Sequence, residues 1–260
     1  MGEAVRLGVS LGGKWEDRRD DAAYGFVDGQ SKWGKLHGSC RVGDQGLLEL
    51  AAESGDRDYE SRDVPGESPF YDSRWDRVTG VYSHRIARGW SAVLRGGYAW
   101  RDYEQEARDE EGTLLVGKDR EDRRPEAGAE ITGVPASRTG IRGGYHFLEN
   151  RSTGSYYEYR RHRVFGILFQ KLTSRFAMHL YLHRQWKSYE DQVAYSDPFV
   201  NQVPEGSRED GEWMAQVGGE YKLMRYLSVV AEYTYLENQS NDESSEYENH
   251  SVLVGCRWDF

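Results

Sequence analysis

Histidine, serine, arginine and glutamate recur along this chain at spacings that decide what they could do together. His37 and Ser39 are two residues apart. On an extended strand that puts both on one face, as a base and a nucleophile attacking an ester would need. No third residue to orient the histidine is evident, and the pair falls near the end of its strand. It reads as a polar pair, with no catalytic residue assigned. His179 and His183 are four apart, or about 13 Å on a strand, which is too far to share one metal ion. A metal would need His146 or His162 brought in from a neighbouring strand. Asn241, Asp242 and Glu243 with Glu246 would make at most a weak Ca²⁺ loop and lack the twelve-residue EF-hand spacing. There is no glycine-rich phosphate loop. The expectation is therefore no metal and no cofactor.

A larger charged set has a different spacing. Arg95, Arg101, Arg142, Arg160, Arg257, Glu49, Glu53, Glu126, Glu130, Glu220 and Glu232, together with Arg6, Lys14, His146, His162, His179 and His183, read as the polar row of a series of alternating strands. A row of both signs can cross-link into ion pairs that fill space. It can also line a water-filled path and sort solutes by charge. The arginines could form a track, since guanidinium forks suit carboxylate and phosphate groups. For any one arginine, pairing with a neighbouring glutamate is the plainer expectation.

The elements that must position these rows follow from a period of two. Trp90, Ala92, Leu94, Gly96, Tyr98 and Trp100 alternate with Val93, Arg95, Gly97 and Arg101. Trp213, Ala215, Val217, Gly219 and Tyr221 alternate with Gln216, Gly218 and Glu220. The chain closes on Val252, Val254, Cys256, Trp258 and Phe260. A terminal apolar row ending in Phe is the pattern of a last transmembrane β-strand, with Trp258 and Phe260 as a membrane-insertion signal. An internal repeat supports the same organisation. Residues 78–104, 164–190 and 214–238 each read as strand, short basic turn, second strand with terminal aromatics, and acidic stretch. Twelve strands are predicted, over 5–15, 31–41, 46–56, 74–85, 89–102, 124–135, 138–148, 157–171, 175–187, 212–223, 226–237 and 249–260. Short connections near 42–45, 86–88, 136–137, 172–174 and 224–225 alternate with long ones. Short periplasmic turns, long external loops and an even strand count belong to bacterial outer-membrane barrels.

Composition agrees. The 260 residues have a mean hydropathy of −0.84, and no apolar run approaches the ~20 residues of a membrane helix. A barrel needs no such run, because only alternate residues face lipid. The 30 glycines suit crowded lumen positions. A formal net charge of −10 argues against nucleic acid, and the acidic stretches fit solvated loops or divalent-cation bridges to lipopolysaccharide. Cys40 and Cys256 are expected to be free thiols. Met1-Gly2-Glu3 runs straight into Val5-Arg6-Leu7, which reads as a mature chain whose leader has been replaced. A soluble β-sandwich or lipocalin-like barrel is the alternative, with the apolar row as its core.

The last fifty or so residues carry a resemblance. Gly219-Glu220-Tyr221-Lys222-Leu223-Met224-Arg225-Tyr226-Leu227-Ser228, then Glu232-Tyr233-Thr234-Tyr235, Asn238-Gln239-Ser240-Asn241-Asp242 and Tyr247-Glu248-Asn249-His250 are similar to the C-terminal hairpins of bacterial outer-membrane β-barrel proteins of the porin type. Barrel domains of exopolysaccharide-export and surface-lipoprotein-export proteins end similarly. The resemblance implies one all-β domain over 1–260, a transmembrane up-and-down antiparallel β-barrel of about 12 strands, in the outer membrane of a Gram-negative bacterium. It implies a channel for passive diffusion of small polar or charged solutes, with acidic oligosaccharides as a candidate class. The alternatives are an export barrel with periplasmic partners and, further off, an outer-membrane lipid hydrolase. The expected surroundings are outer-membrane lipid, lipopolysaccharide and the barrel-assembly machinery.

Overall fold

Alternating sequences pair edge to edge when each strand is joined to the next by a turn too short for a crossover. A computed structural model, which describes residues 5–20, 25–61, 72–195 and 204–258, shows that outcome throughout. The strands are β1 (Arg6–Asp20), β2 (Gly25–Val42), β3 (Gly46–Ser61), β4 (Ser73–Ala87), β5 (Trp90–Arg108), β6 (Leu114–Ala136), β7 (Thr139–Ser152), β8 (Tyr159–Lys171), β9 (Phe176–Tyr195), β10 (Pro204–Met224), β11 (Leu227–Ser240) and β12 (Tyr247–Trp258). They form one twelve-stranded sheet in sequence order. Each register followed is antiparallel, such as Ser39↔Glu49 in β2–β3 and Phe165↔His183 in β8–β9. This is the up-and-down antiparallel architecture of outer-membrane barrels. All twelve predicted strands are present and all five short turns fall where expected. Gly43 and Gly89, at φ 63° and 78°, sit in two of these turns, where a side chain would be strained.

The strands differ from expectation at one end. Most of those flanking the long connections run on past their predicted limits, so that β1 and β2 pair as far as Asp20↔Gly25, and β5 and β6 reach Arg108 and Leu114. The apolar alternation stops where the lipid-facing band stops. The backbone ladder does not need lipid and continues as polar hairpins. The stretch 103–123 is thus mostly hairpin, closed where Asp109 accepts hydrogen bonds from the Glu111 and Thr113 amides at 3.1 and 2.8 Å.

The apolar row is the exposed one. Leu7 and Val9 are 81% and 71% exposed, and Val252 and Val254 74% and 71%. Among the described residues the buried apolar set is only Ala107, Phe165 and Ala194. A lipocalin-like core would bury the apolar row, so the soluble alternative is excluded. No helix among the described residues is long and apolar enough to cross a membrane. Aromatic residues lie near the ends of the apolar face: Trp258 packs against Tyr226 at 4.8 Å between ring centroids, and Tyr98 against Trp100 at 4.5 Å. Such girdles belong at the membrane interfaces. Phe260 lies outside the described residues. Cys40 and Cys256 are free.

By contact density the chain falls into two compact units. One comprises Met1–Tyr82, Arg95–Glu126 and Glu149–Glu158, the other Ser83–Leu94, Ala127–Leu148 and Tyr159–Phe260.

Candidate functional site

The polar face begins with what glycine permits. A Cβ on Gly218 would lie 2.4 Å from the His179 ring, and one on Gly8 would lie 2.3 Å from His37. Both rings lie flat across a neighbouring strand where it carries no side chain, which holds an aromatic group in place on a twisted sheet.

In the second unit the polar face is a series of satisfied charges. Glu130 of β6 is buried. It accepts from Arg142 Nε at 2.7 Å and pairs with Arg142 Nη2 at 2.6 Å, while His146 Nε2 reaches its other oxygen at 2.8 Å. Phe165 packs against His146 at 5.1 Å. His183 Nε2 is 2.7 Å from Glu212, His179 Nε2 is 3.5 Å from Glu232, and Arg257 pairs with Glu220 at 2.5 Å. In the first unit Arg77 pairs with Glu126. Arg95 and Arg101 lie half-buried on the same row of β5, opposite to the exposed Leu94 and Trp100. Glu49 and Glu53 of β3 face Ser39 and Lys35 of β2. The side chain of Lys14 lies outside the described set.

Two residues expected on this face are on the other. His162 Nδ1 is 2.6 Å from the Tyr145 hydroxyl, and its ring lies 5.2 Å from Phe147. The register His162↔Trp186, with Phe165↔His183 three residues on, fixes the phase of β8. Arg160 therefore shares the face of His162, and it pairs there with Glu190 at 3.3 Å. The run Tyr159-Arg160-Arg161-His162-Arg163 is polar at every position, so it carries no alternation from which to read a face. His162 is thereby removed as a partner for His179 and His183 in a metal site. Among the described residues no three His, Cys, Asp or Glu gather as a metal site. Asp242 and Asn241, the candidate Ca²⁺ ligands, are instead committed to protein partners, with Asn241 Nδ2 donating to the Ser207 carbonyl of β10 at 2.9 Å and Ser245 donating to Asp242 at 3.4 Å.

Sequence reasoning missed a clasp that occurs twice. In the first unit Arg120 grips Asp122 through Nε and Nη2 at 3.1 and 2.8 Å and lies between the Tyr103 and Tyr157 rings at 4.0 and 3.6 Å. Arg124 reaches Asp122 at 2.6 Å and donates to Asn150 at 2.7 Å. Asn150 in turn donates to the Tyr157 carbonyl at 2.7 Å. Asp122 and Asn150 are each 1% exposed. Burial alone would raise the Asp122 pKa, but the Arg120 hydrogen bond and the Arg120 and Arg124 charges outweigh it and hold the carboxyl below its ordinary value. In the second unit Arg208 grips Asp210 at 2.9 and 2.9 Å and lies 4.7 Å from the Tyr189 ring, and Asn238 donates to the Ser245 carbonyl at 2.7 Å. Tyr233 and His250 repeat the Tyr145–His162 contact at 2.6 Å. The counterparts are evenly spaced along the chain: Arg120 and Arg208, Asn150 and Asn238, His162 and His250. The strings Glu-Asn-Arg-Ser at 149–152 and Glu-Asn-Gln-Ser at 237–240 carried the signal.

Comparison with known proteins agrees with this architecture. Residues 189–260 match the family described as "Putative beta-barrel porin 2", which bears out the resemblance read in the C-terminal hairpins. No curated protein matches the chain. Among solved structures, the ferric enterobactin receptor PfeA of Pseudomonas aeruginosa (a mutant) is similar with a TM-score of 0.60 and 10% identity, over 98% of this chain and 42% of that one. The siderophore receptor PirA of the same organism gives 0.54 and 12%, over 98% and 40%. The chain thus spans about two fifths of the length of these receptors. OmpT, an outer-membrane protein of Vibrio cholerae, gives 0.48 and 9% over 99% of each chain. The chain shares the fold of PfeA and PirA, and its C-terminal hairpins match that porin-type family.

Proposed function

We propose that the chain is an outer-membrane channel for small polar or charged solutes, which diffuse along the polar face of its sheet. The observation that carries this reading is the division of faces. The apolar row is exposed as lipid requires, and the opposite row carries both signs of charge, as the lining of a water path does. The porin-type match over the C-terminal hairpins supports the same reading. Arg95, Arg101, Arg142, Arg257, Glu49, Glu53, Glu126, Glu130, Glu220 and Glu232 are the proposed lining. Arg160, which shares the apolar face, leaves that set. Arg142 and Arg257 pair with Glu130 and Glu220, and Arg95 and Arg101 share one row of β5. The reading assigns no catalysis to His37 and Ser39. Conductance of the refolded chain in planar bilayers tests it. Stable ion-selective steps support the channel, and insertion without conductance overturns it. The double change Arg95→Glu, Arg101→Glu is expected to move the reversal potential in a salt gradient toward cation selectivity.

A further inference from the structure

Ion pairs occupy most charges on the polar face of the second unit, and β1–β3 differ. Three rows run across these strands in register: Arg6, Ser39 and Glu49; Gly8, His37 and Ala51; Ser10, Lys35 and Glu53. The middle row is small on both sides of the histidine, so a hollow is left between two charged rows. The result is an open cavity of about 600 Å³. Its polar lining includes Arg6, Lys35, His37, Ser10, Ser39 and Glu49. Among the described residues neither Arg6 nor Lys35 has an ion-pair partner. Arg6, Lys35 and Glu49 therefore face the same hollow, with hydroxyl groups between them and Glu53 across from Lys35 at its edge.

We infer that this cavity binds a small, hydroxyl-rich monocarboxylate, of the class of an acidic monosaccharide. The volume lies within the ~300–1,000 Å³ of small-molecule sites. The Arg6 guanidinium can hold a carboxylate through two parallel hydrogen bonds, and Lys35 adds a point charge. Glu49 sets the second half of the specificity. It accepts hydrogen bonds from ligand hydroxyls and repels a ligand of higher negative charge, so a phosphate dianion fits less well than a sugar acid. His37, seated over Gly8, offers a ring nitrogen to the same hollow. The site deepens the channel reading and rests on it for its use, since it would be a binding station on the solute's path.

Binding is measured without conduction, by titrating sodium D-glucuronate into the refolded full-length chain in detergent at low salt. D-Glucose and inorganic phosphate serve as comparisons. Glucuronate is expected to bind, glucose and phosphate at least tenfold more weakly. Arg6→Gln and Lys35→Gln are each expected to weaken glucuronate about tenfold or more, the loss of one charge-assisted contact. Arg151→Gln, which alters an exposed pair with Glu149, should leave binding as it was. If Arg6→Gln does not refold, Lys35→Gln and His37→Gln carry the test. Absence of glucuronate binding overturns the site, as do equal affinity for glucose and variants that bind like the parent. A conducting chain that does not bind glucuronate would overturn the site and leave the channel. A binding chain that does not conduct would overturn the channel and leave the site.

Discussion

Asp122 and Asn150 show how a charged residue can be buried in a chain with almost no apolar core. A nearly unexposed carboxylate survives because two guanidinium groups bind it, and each of those has a second partner: the Tyr103 and Tyr157 rings for Arg120, Asn150 for Arg124. Removing one member leaves the others buried and unsatisfied, at about 1–3 kcal/mol. Asn150→Ala is expected to cost that much and to loosen the β7–β8 loop, read as a lower denaturant midpoint of the refolded chain and faster cleavage near Tyr157. Asn238→Ala should do the same at β11–β12. The folded pKa of Asp122 lies below its ordinary value of 3.8. The stabilisation is therefore complete above that value, declines below it, and is lost as the pH falls through the folded pKa. Pepsin cleavage of the 114–124 and 153–158 segments should rise over that acid range, and Asp122→Asn should remove the pH dependence.

At the scale of the strand, one step along the chain exchanges lipid for the polar face. Val254 and Leu253 are neighbours in β12, yet Val254 pairs with Ala231 on the apolar face and Leu253 with Glu232 on the polar one. Val254→Lys is expected to cost about 2–4 kcal/mol if it lies near the bilayer midplane. Leu253→Lys, set opposite a carboxylate, should cost little. The folded fraction of each variant in lipid vesicles measures the difference. This alternation is why strand number, turn positions and most faces were legible from sequence. It fails where both faces are polar. The phase of β8 could not be read through Arg160–Arg163 and is set downstream by Phe165, an aromatic residue on the polar face. The long-loop ends of the strands were illegible for a related reason. Beyond the lipid band, ion pairs and backbone hydrogen bonds hold the ladder, and they impose no period on residue type. Of the candidate site, the charged rows were visible in the sequence. Which charges pair was not, because a pair such as Arg142–Glu130 depends on the register of two strands.

On the scale of the whole molecule, the ion pairs of the polar face tie its charges to folding. Arg142→Gln is expected to destabilise the fold by stranding the buried Glu130 carboxylate, with a cost of several kcal/mol, before it alters selectivity. Thermal unfolding of the refolded variant should show this loss. The repeated clasp has a consequence of another kind. Residues 120–122 and 208–210 both read Arg-Glu-Asp, both open the outer part of a descending strand, and both place the arginine against a tyrosine of the strand before. A gene cut so that Arg120 is followed directly by Glu209 would delete four strands and still spell Arg-Glu-Asp at the join. Tyr103 would receive the arginine it already holds. The excision would leave eight strands with the same clasp at the join.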